Sequence, residues 1–213
     1  MMKLKMIAVK KLPFNRIGEA ARLLARAFHA DPILTFFLND PVRRKVAFPA
    51  FFRAAIYETW ECGNIYAACA DQRLVGVAVW IPPSGATPSR QFQRRADRNH
   101  SIVKSRFSRR APALYRGLAA IMELHPVESH WYLSFVGVDP AFQGSGVGRK
   151  LTAPVLKIAD REGTLCYLET PFPNTHEFYR RQGFELGPAA HPFKGAPNLW
   201  TMLRPPKKTD TAR

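Results

Sequence analysis

Val136-Gly137-Val138-Asp139-Pro140-Ala141-Phe142-Gln143-Gly144-Ser145-Gly146-Val147-Gly148-Arg149 is the stretch around which this 213-residue chain is organised. An apolar strand pattern stops at Asp139-Pro140. A glycine-rich turn follows, and a helix opens directly from it, with Val147, Leu151, Val155 and Ile158 recurring on one face. Glycines let the backbone turn tightly and approach a ligand without a Cβ in the way. The helix start adds unpaired N–H groups and the positive end of a dipole. Together they make an anion cradle suited to a pyrophosphate. A plain helix-starting turn would use the same glycines. A P-loop needs Gly-Lys-Ser/Thr after its glycines, but Gly148 is followed by Arg149-Lys150-Leu151. A Rossmann fingerprint needs G-x-G-x-x-G, but Gly144, Gly146 and Gly148 are spaced by twos.

About twenty residues further on come Tyr167-Leu168-Glu169-Thr170 and then Phe178-Tyr179-Arg180-Arg181-Gln182-Gly183-Phe184. With Gln143-x-x-Gly146-x-Gly148, these segments resemble the signature of the GNAT superfamily of N-acetyltransferases. His130-Trp131-Tyr132-Leu133, Ala78-Val79-Trp80, Leu199-Trp200-Thr201-Met202, Ala27-Phe28-His29-Ala30-Asp31-Pro32 and Pro154 are similar to the puromycin N-acetyltransferase-like group. The specific part of the likeness covers residues 131–184.

The resemblance implies a single α/β domain (mixed α+β). Its twisted, mixed and mostly antiparallel sheet would be splayed at the cofactor strand and carry helices on both faces. It implies acetyl-CoA as acyl donor, no metal, and direct transfer to a bound amine. The pantetheine arm maps to the backbone of Val136, Gly137 and Val138. The pyrophosphate cradle maps to Gln143, Gly144, Ser145, Gly146, Val147, Gly148 and Arg149. Tyr179 matches the family tyrosine that protonates the leaving thiolate, and core packing is its competing role. Glu169 is the candidate base, acting directly, through water, or only by positioning the amine. Glu123, His125 and His130 are weaker candidates just before the cofactor strand. The family often has Asn four residues before the tyrosine. Here that position is Thr175, with Asn174 one residue early, so either could meet pantetheine. Phe36-Phe37, Trp80 and the region before Trp131 are the candidate acceptor pocket, with core packing the equal alternative for the aromatics.

Around this segment, residues 5–12 predict a strand, and Asn15 suits the N-cap of a helix carrying Ile17, Ala20, Ala21, Leu24, Ala27 and Phe28. Asp31-Pro32 interrupts that helix before an aromatic segment at 33–38. Asp40-Pro41 restarts a helix that ends near Cys62-Gly63. Residues 64–70 and 73–81 predict a hairpin about Asp71-Gln72. The basic stretch 89–110 reads as the least organised part, helical in places. Helices are expected at 114–124, 147–162 (with Pro154 inside) and 175–182, and strands at 131–138, 164–169, 184–186 and 199–203. That order makes one mixed α/β domain over residues 1–204, with a flexible tail at 205–213.

Lys and Arg number 32 against 16 Asp and Glu, a net charge of +16. Such a surface favours anionic partners, and it disfavours a lysine-rich protein substrate. The functions weighed are therefore acetylation of a small-molecule amine, acetylation of protein lysines or N-termini, and a non-catalytic basic nucleic-acid binder on the same scaffold. The intact glycine turn argues against the last. Cys62, Cys69 and Cys166 are odd in number and fit no metal or disulfide spacing, so buried free thiols are expected. Residues 1–11 lack an apolar signal core, and no apolar run approaches the ~20 residues of a membrane span. A cytoplasmic protein without a membrane partner is the expectation.

Overall fold

A computed structural model describes residues 7–62, 64–85 and 87–207. The start of the first predicted strand, Gly63 and the end of the predicted tail (208–213) lie outside the described residues. Seven strands form one sheet: β1 (Ile7–Lys11), β2 (Ile65–Ala70), β3 (Arg73–Ile81), β4 (His130–Val138), β5 (Leu165–Thr170), β6 (Glu185–Ala190) and β7 (Leu199–Arg204). Their order is β1-β2-β3-β4-β5-β7-β6. Every neighbouring pair is antiparallel except β4 and β5.

The parallel pair positions the site. β4 meets β5 only where His130, Trp131 and Tyr132 face Leu165, Cys166 and Tyr167. Beyond that point β4 stays paired to β3 as far as Val138, while β5 stays paired to β7 as far as Thr170. The two strands part and the sheet opens as a V. The main-chain groups of β4 on its β5 side are left without a strand partner beyond Tyr132, and such groups must find another partner.

Strand alternation divides the core between the two faces. Val77 and Val79 of β3 point to a layer containing α1 (Ile17–Ala27), α2 (Pro32–Phe37), α3 (Pro41–Thr59), α4 (Arg90–Phe107) and α5 (Ala111–Met122). Ala78 and Trp80 point to the other, joined by Val75 at the register shift between β2 and β3, where α6 (Val147–Glu162) contributes Val147, Leu151 and Val155, and α7 (His176–Arg180) contributes Tyr179.

Several local expectations change. Asn15 does not cap α1; it lies in a single 3-10 turn, and the helix starts from Arg16 without a side-chain cap. The aromatic segment after Asp31 is helical, because the Asp31 carboxylate accepts the Leu34 N–H at 2.9 Å and Pro32 takes the first helical position. Asp40 likewise caps α3 through the Val42 and Arg43 N–H groups. The hairpin turns through Asp71 and Gln72, both at positive φ, as a two-residue turn requires. The stretch read as least organised is the 18-residue helix α4. Its buried stripe is only Ala96, Asn99, Val103 and Phe107, too thin for periodicity to reveal, and packing on α3 carries it. Pro154 sits inside α6 without breaking it. Cys69 and Cys166 are free thiols, and Cys166 is buried.

Candidate active site

The cleft between β4 and β5 begins at the glycine turn. Asp139 pins the end of β4. Its N–H donates to Val75 O (2.9 Å), one carboxylate oxygen accepts the Ala141 N–H (3.1 Å), and the other meets Arg26 (3.3 Å) and Arg73 (3.2 Å). The Gln143 side chain donates back to Val138 O at 3.3 Å, and Ser145 Oγ to Phe142 O at 2.6 Å. Gly144 and Gly146 stand at φ +75° and +81°, where a side chain is strained, and a Cβ on either would project into open space. Gly146 caps α6 with no side chain, so the first N–H groups of the helix face outward unpaired. Gly148 serves packing instead. A Cβ there would come within 3.0 Å of the Phe178 ring, so its absence lets α6 approach α7.

Three cavities run on from one another. The outer one, about 790 Å³, lies between the glycine turn and Phe178, Tyr179 and Arg181 of the α7 segment. The middle one, about 360 Å³, follows Val136, Gly137 and Val138 inward. It shares Val136, Gln143, Asn174, Thr175 and Tyr179 with the outer cavity. The inner one, about 540 Å³, shares Asp31, Ser134, Phe135 and Glu169 with the middle one. Val136, Gly137, Val138, the Gln143–Arg149 loop, Asn174, Thr175, Tyr179 and Glu169 are thus brought to one cleft, although Ser145 does not line it.

Tyr179 is 7% exposed and packs edge-on to Phe178 and Phe184. Burial raises its pKa, so the phenol is held protonated. The Thr175 hydroxyl is engaged within its own loop, donating to Phe172 O at 2.8 Å and meeting Thr170 Oγ1 at 2.9 Å. Asn174 is exposed and lines both the outer and middle cavities.

Glu169 stands at the junction of the middle and inner cavities, its side chain only 5% exposed. His125 Nε2 lies 3.3 Å from its Oε1, but the pair is out of hydrogen-bond alignment and neither atom has another partner. Tyr132 and Tyr167 flank the same carboxylate. Burial first, and the Glu169 charge second, push both phenols up. Tyr167 donates to Leu124 O at 3.0 Å. Asp31, at the same junction, is pushed up to about 6 by burial, with the Leu34 and Ile33 N–H groups opposing the shift.

The inner cavity differs from the region anticipated. Trp80 is fully buried on the α6 face, and Phe36 and Phe37 pack with Phe193, so none of the three lines it. Glu123 is exposed at the end of α5 and lines none of the three cavities. The segment before Trp131 does contribute, through α5. At the far side Tyr115 OH meets His100 Nδ1 (2.8 Å) and His100 Nε2 meets Glu58 Oε1 (2.7 Å). Burial and the Glu58 charge push Tyr115 up to about 12. No spacing announces this trio, since its members come from α5, α4 and α3.

The acetyltransferase (GNAT) family model matches residues 34–184, more than half of the chain. The chain belongs to the GNAT family of acetyltransferases. Family membership accounts for the splayed strands and the glycine turn, and makes the protein an acyl-transferring enzyme of the N-acetyltransferase type. An uncharacterized N-acetyltransferase of Schizosaccharomyces pombe is 25% identical over 196 residues, 84% of this chain and 74% of the relative. The solved structure described as histone acetyltransferase HPA2 and related acetyltransferase, from Corynebacterium glutamicum, superposes with a TM-score of 0.69. It is 23% identical, over 96% of this chain and 99% of that one. The polyamine N-acetyltransferase of Drosophila melanogaster gives 0.59 at 14% identity, over 94% and 100%. At those identities the last two show the shared fold.

Proposed function

We propose that this enzyme moves the acetyl group of acetyl-CoA directly to the primary amine of a small, partly apolar molecule. The observation that carries the reading is the unbroken run of three cavities with Glu169 where the inner two meet. The outer cavity suits a pyrophosphate, having outward N–H groups at the start of α6 with Arg149 and Arg181 beside them. The unpaired edge of β4 suits the amides of pantetheine. Because the Thr175 hydroxyl closes its own loop, Asn174 is the residue we assign to pantetheine.

Acetyl-CoA supplies the activated thioester. Glu169, buried beside His125, takes a proton from the incoming ammonium so that its lone pair can attack. Tyr179, held neutral, gives a proton to the departing sulfur. β4 main-chain N–H groups stabilise the charge that develops on the acyl oxygen.

Asp31, Glu58 and Glu169 line the inner cavity, and among the described residues no Lys or Arg does. In a protein of net charge +16 this favours a cationic occupant. Phe28, Ile33, Leu34, Phe51 and Leu118 supply apolar walls, and the volume falls within the ~300–1,000 Å³ of small-molecule sites. An aminonucleoside or comparable xenobiotic, as for the puromycin N-acetyltransferase-like group, fits this chemistry, and so does an alkyl diamine. Acetyl-CoA should raise Tm by mass action, and free thiol should appear with an amine from a panel of such compounds. Absence of any thermal response to millimolar acetyl-CoA would sink the proposal.

A further inference from the structure

We infer that His125 and His130 form a side-chain proton relay that drains Glu169 to the surface on a side clear of acetyl-CoA. The inference rests on the acetyltransferase reading, since it concerns the proton that acetyl transfer releases. An ammonium plus a thioester becomes an amide, a thiol and one proton. The ammonium nitrogen gives up two protons on the way to the amide, and the sulfur takes one. The other must leave a cleft that the two substrates fill.

The contacts trace a path. Glu169 Oε1 faces His125 Nε2 at 3.3 Å. His125 Nδ1 meets His130 Nε2 at 3.1 Å, and His130 Nδ1 meets the main-chain oxygen of Glu128 at 2.7 Å. That oxygen only accepts, so His130 Nδ1 carries a proton. One proton then lies between the two imidazoles. A third is needed between His125 Nε2 and Glu169 Oε1, two buried atoms that have no other hydrogen-bond partner. Two neutral imidazoles and a carboxylate hold only two protons. The path is complete only with one extra, which is the proton that Glu169 collects from the amine. Its arrival on His125 moves the shared proton to His130, and His130 returns a proton to water. Leaving that slot open in the substrate-free protein has a cost, since buried unpaired polar atoms are unfavourable. A structural pair would close it.

The far end is accessible. His130 lies at a cavity of about 270 Å³ bordered by the exposed residues Val127, Glu128 and Ser129. That cavity shares no residue with the outer or middle one, so bound acetyl-CoA leaves it clear. The titratable groups packed against the two rings are Tyr132, Tyr167 and Glu169. Among the described residues no group of three or more His, Cys, Asp and Glu is placed to hold a metal ion. His125 and His130 act through Glu169 and are positioning residues.

The test begins without substrate. With imidazole ¹⁵N labelling, Glu169→Gln should shift both the His125 and His130 ring signals and change how they titrate. A His130 signal indifferent to Glu169→Gln would overturn the relay. In turnover, His130→Gln keeps a donor for Glu128 O. It should lower kcat about tenfold near neutral pH while leaving the acetyl-CoA thermal shift and the amine KM unchanged, and added imidazole should restore the rate. His125→Asn should behave alike and guards against a folding defect in one variant. A wild-type kcat and no buffer dependence in His130→Gln would also overturn the relay. Absence of thiol release and of any acetyl-CoA response in the wild-type protein is a different failure, that of the acetyltransferase reading itself, and the labelling experiment still decides whether the three groups share a proton.

Discussion

Around the glycine turn the groups that face the cleft are main-chain N–H donors at the start of α6 and along β4. Around Glu169 they are side chains from β4, β5 and the loop after α5, with Asp31 beside them. The proposed cofactor end depends on positive φ at Gly144 and Gly146, where a side chain is strained. The acceptor end is the reverse: its backbone is ordinary strand and helix, and its chemistry depends on which side chains meet. In the proposed function one end meets a constant ligand, acetyl-CoA, with main-chain atoms. The other can be altered without disturbing the first.

Glu169→Gln should separate the two ends most sharply. Removing the proton acceptor is expected to cost roughly 10²–10⁴-fold in kcat/KM at neutral pH, while the Tm increase with acetyl-CoA stays intact. A matching loss of acetyl-CoA binding would show that the ends are not independent. Gly146→Asp attacks the other side. Strain at positive φ and a like charge beside the pyrophosphate should together weaken acetyl-CoA binding about a hundredfold, as titration calorimetry would read. Tyr179→Phe lies at the boundary and keeps the packing against Phe178 and Phe184. Its kcat should fall about tenfold to a hundredfold with little change in either affinity, measured by thiol release under saturation.

Asp31→Asn tests the seam with a smaller effect, on stability. The Asp31 pKa is raised to about 6 in the folded protein, so between about pH 4 and 6 the native state binds more protons than the unfolded chain. Wild-type stability should therefore rise as pH falls through 6. Above pH 6 the buried charge costs about 2–3 kcal/mol. Asn retains an oxygen for the Leu34 N–H and removes that charge. Melts at pH 5 and pH 8 should show the variant gaining more on wild type at the higher pH. Equal gains at both would mean that Asp31 is already ionised in the fold at pH 5 and that its pKa is not raised.

Legibility follows the same division. Gln143 to Arg149 is readable because helix starts and tight turns write their needs into adjacent residues, and Tyr179 through the family likeness. Glu169 is readable only through its place in a motif. The tie between the Thr175 hydroxyl and Phe172 O favours Asn174 at the cleft, which the mismatch alone leaves open. Trp80 and Phe36-Phe37 are misplaced by the sequence because an aromatic in a strand or helix looks the same whichever face it packs on. Helix α4 is under-read because its stability comes from contact with α3, not from its own pattern.

By itself the amino-acid sequence determined the order of the strands, the glycine turn with the helix that opens from it, and the excess of positive charge, because each depends on residues close along the chain. Only the tertiary structure decided that β4 leaves β5 after Tyr132, that an acidic, apolar cavity lies inside a strongly basic protein, and that Glu169, His125 and His130 come together. Those features join residues from separate strands, loops and helices, and distance along a chain carries no information about where its folded elements converge.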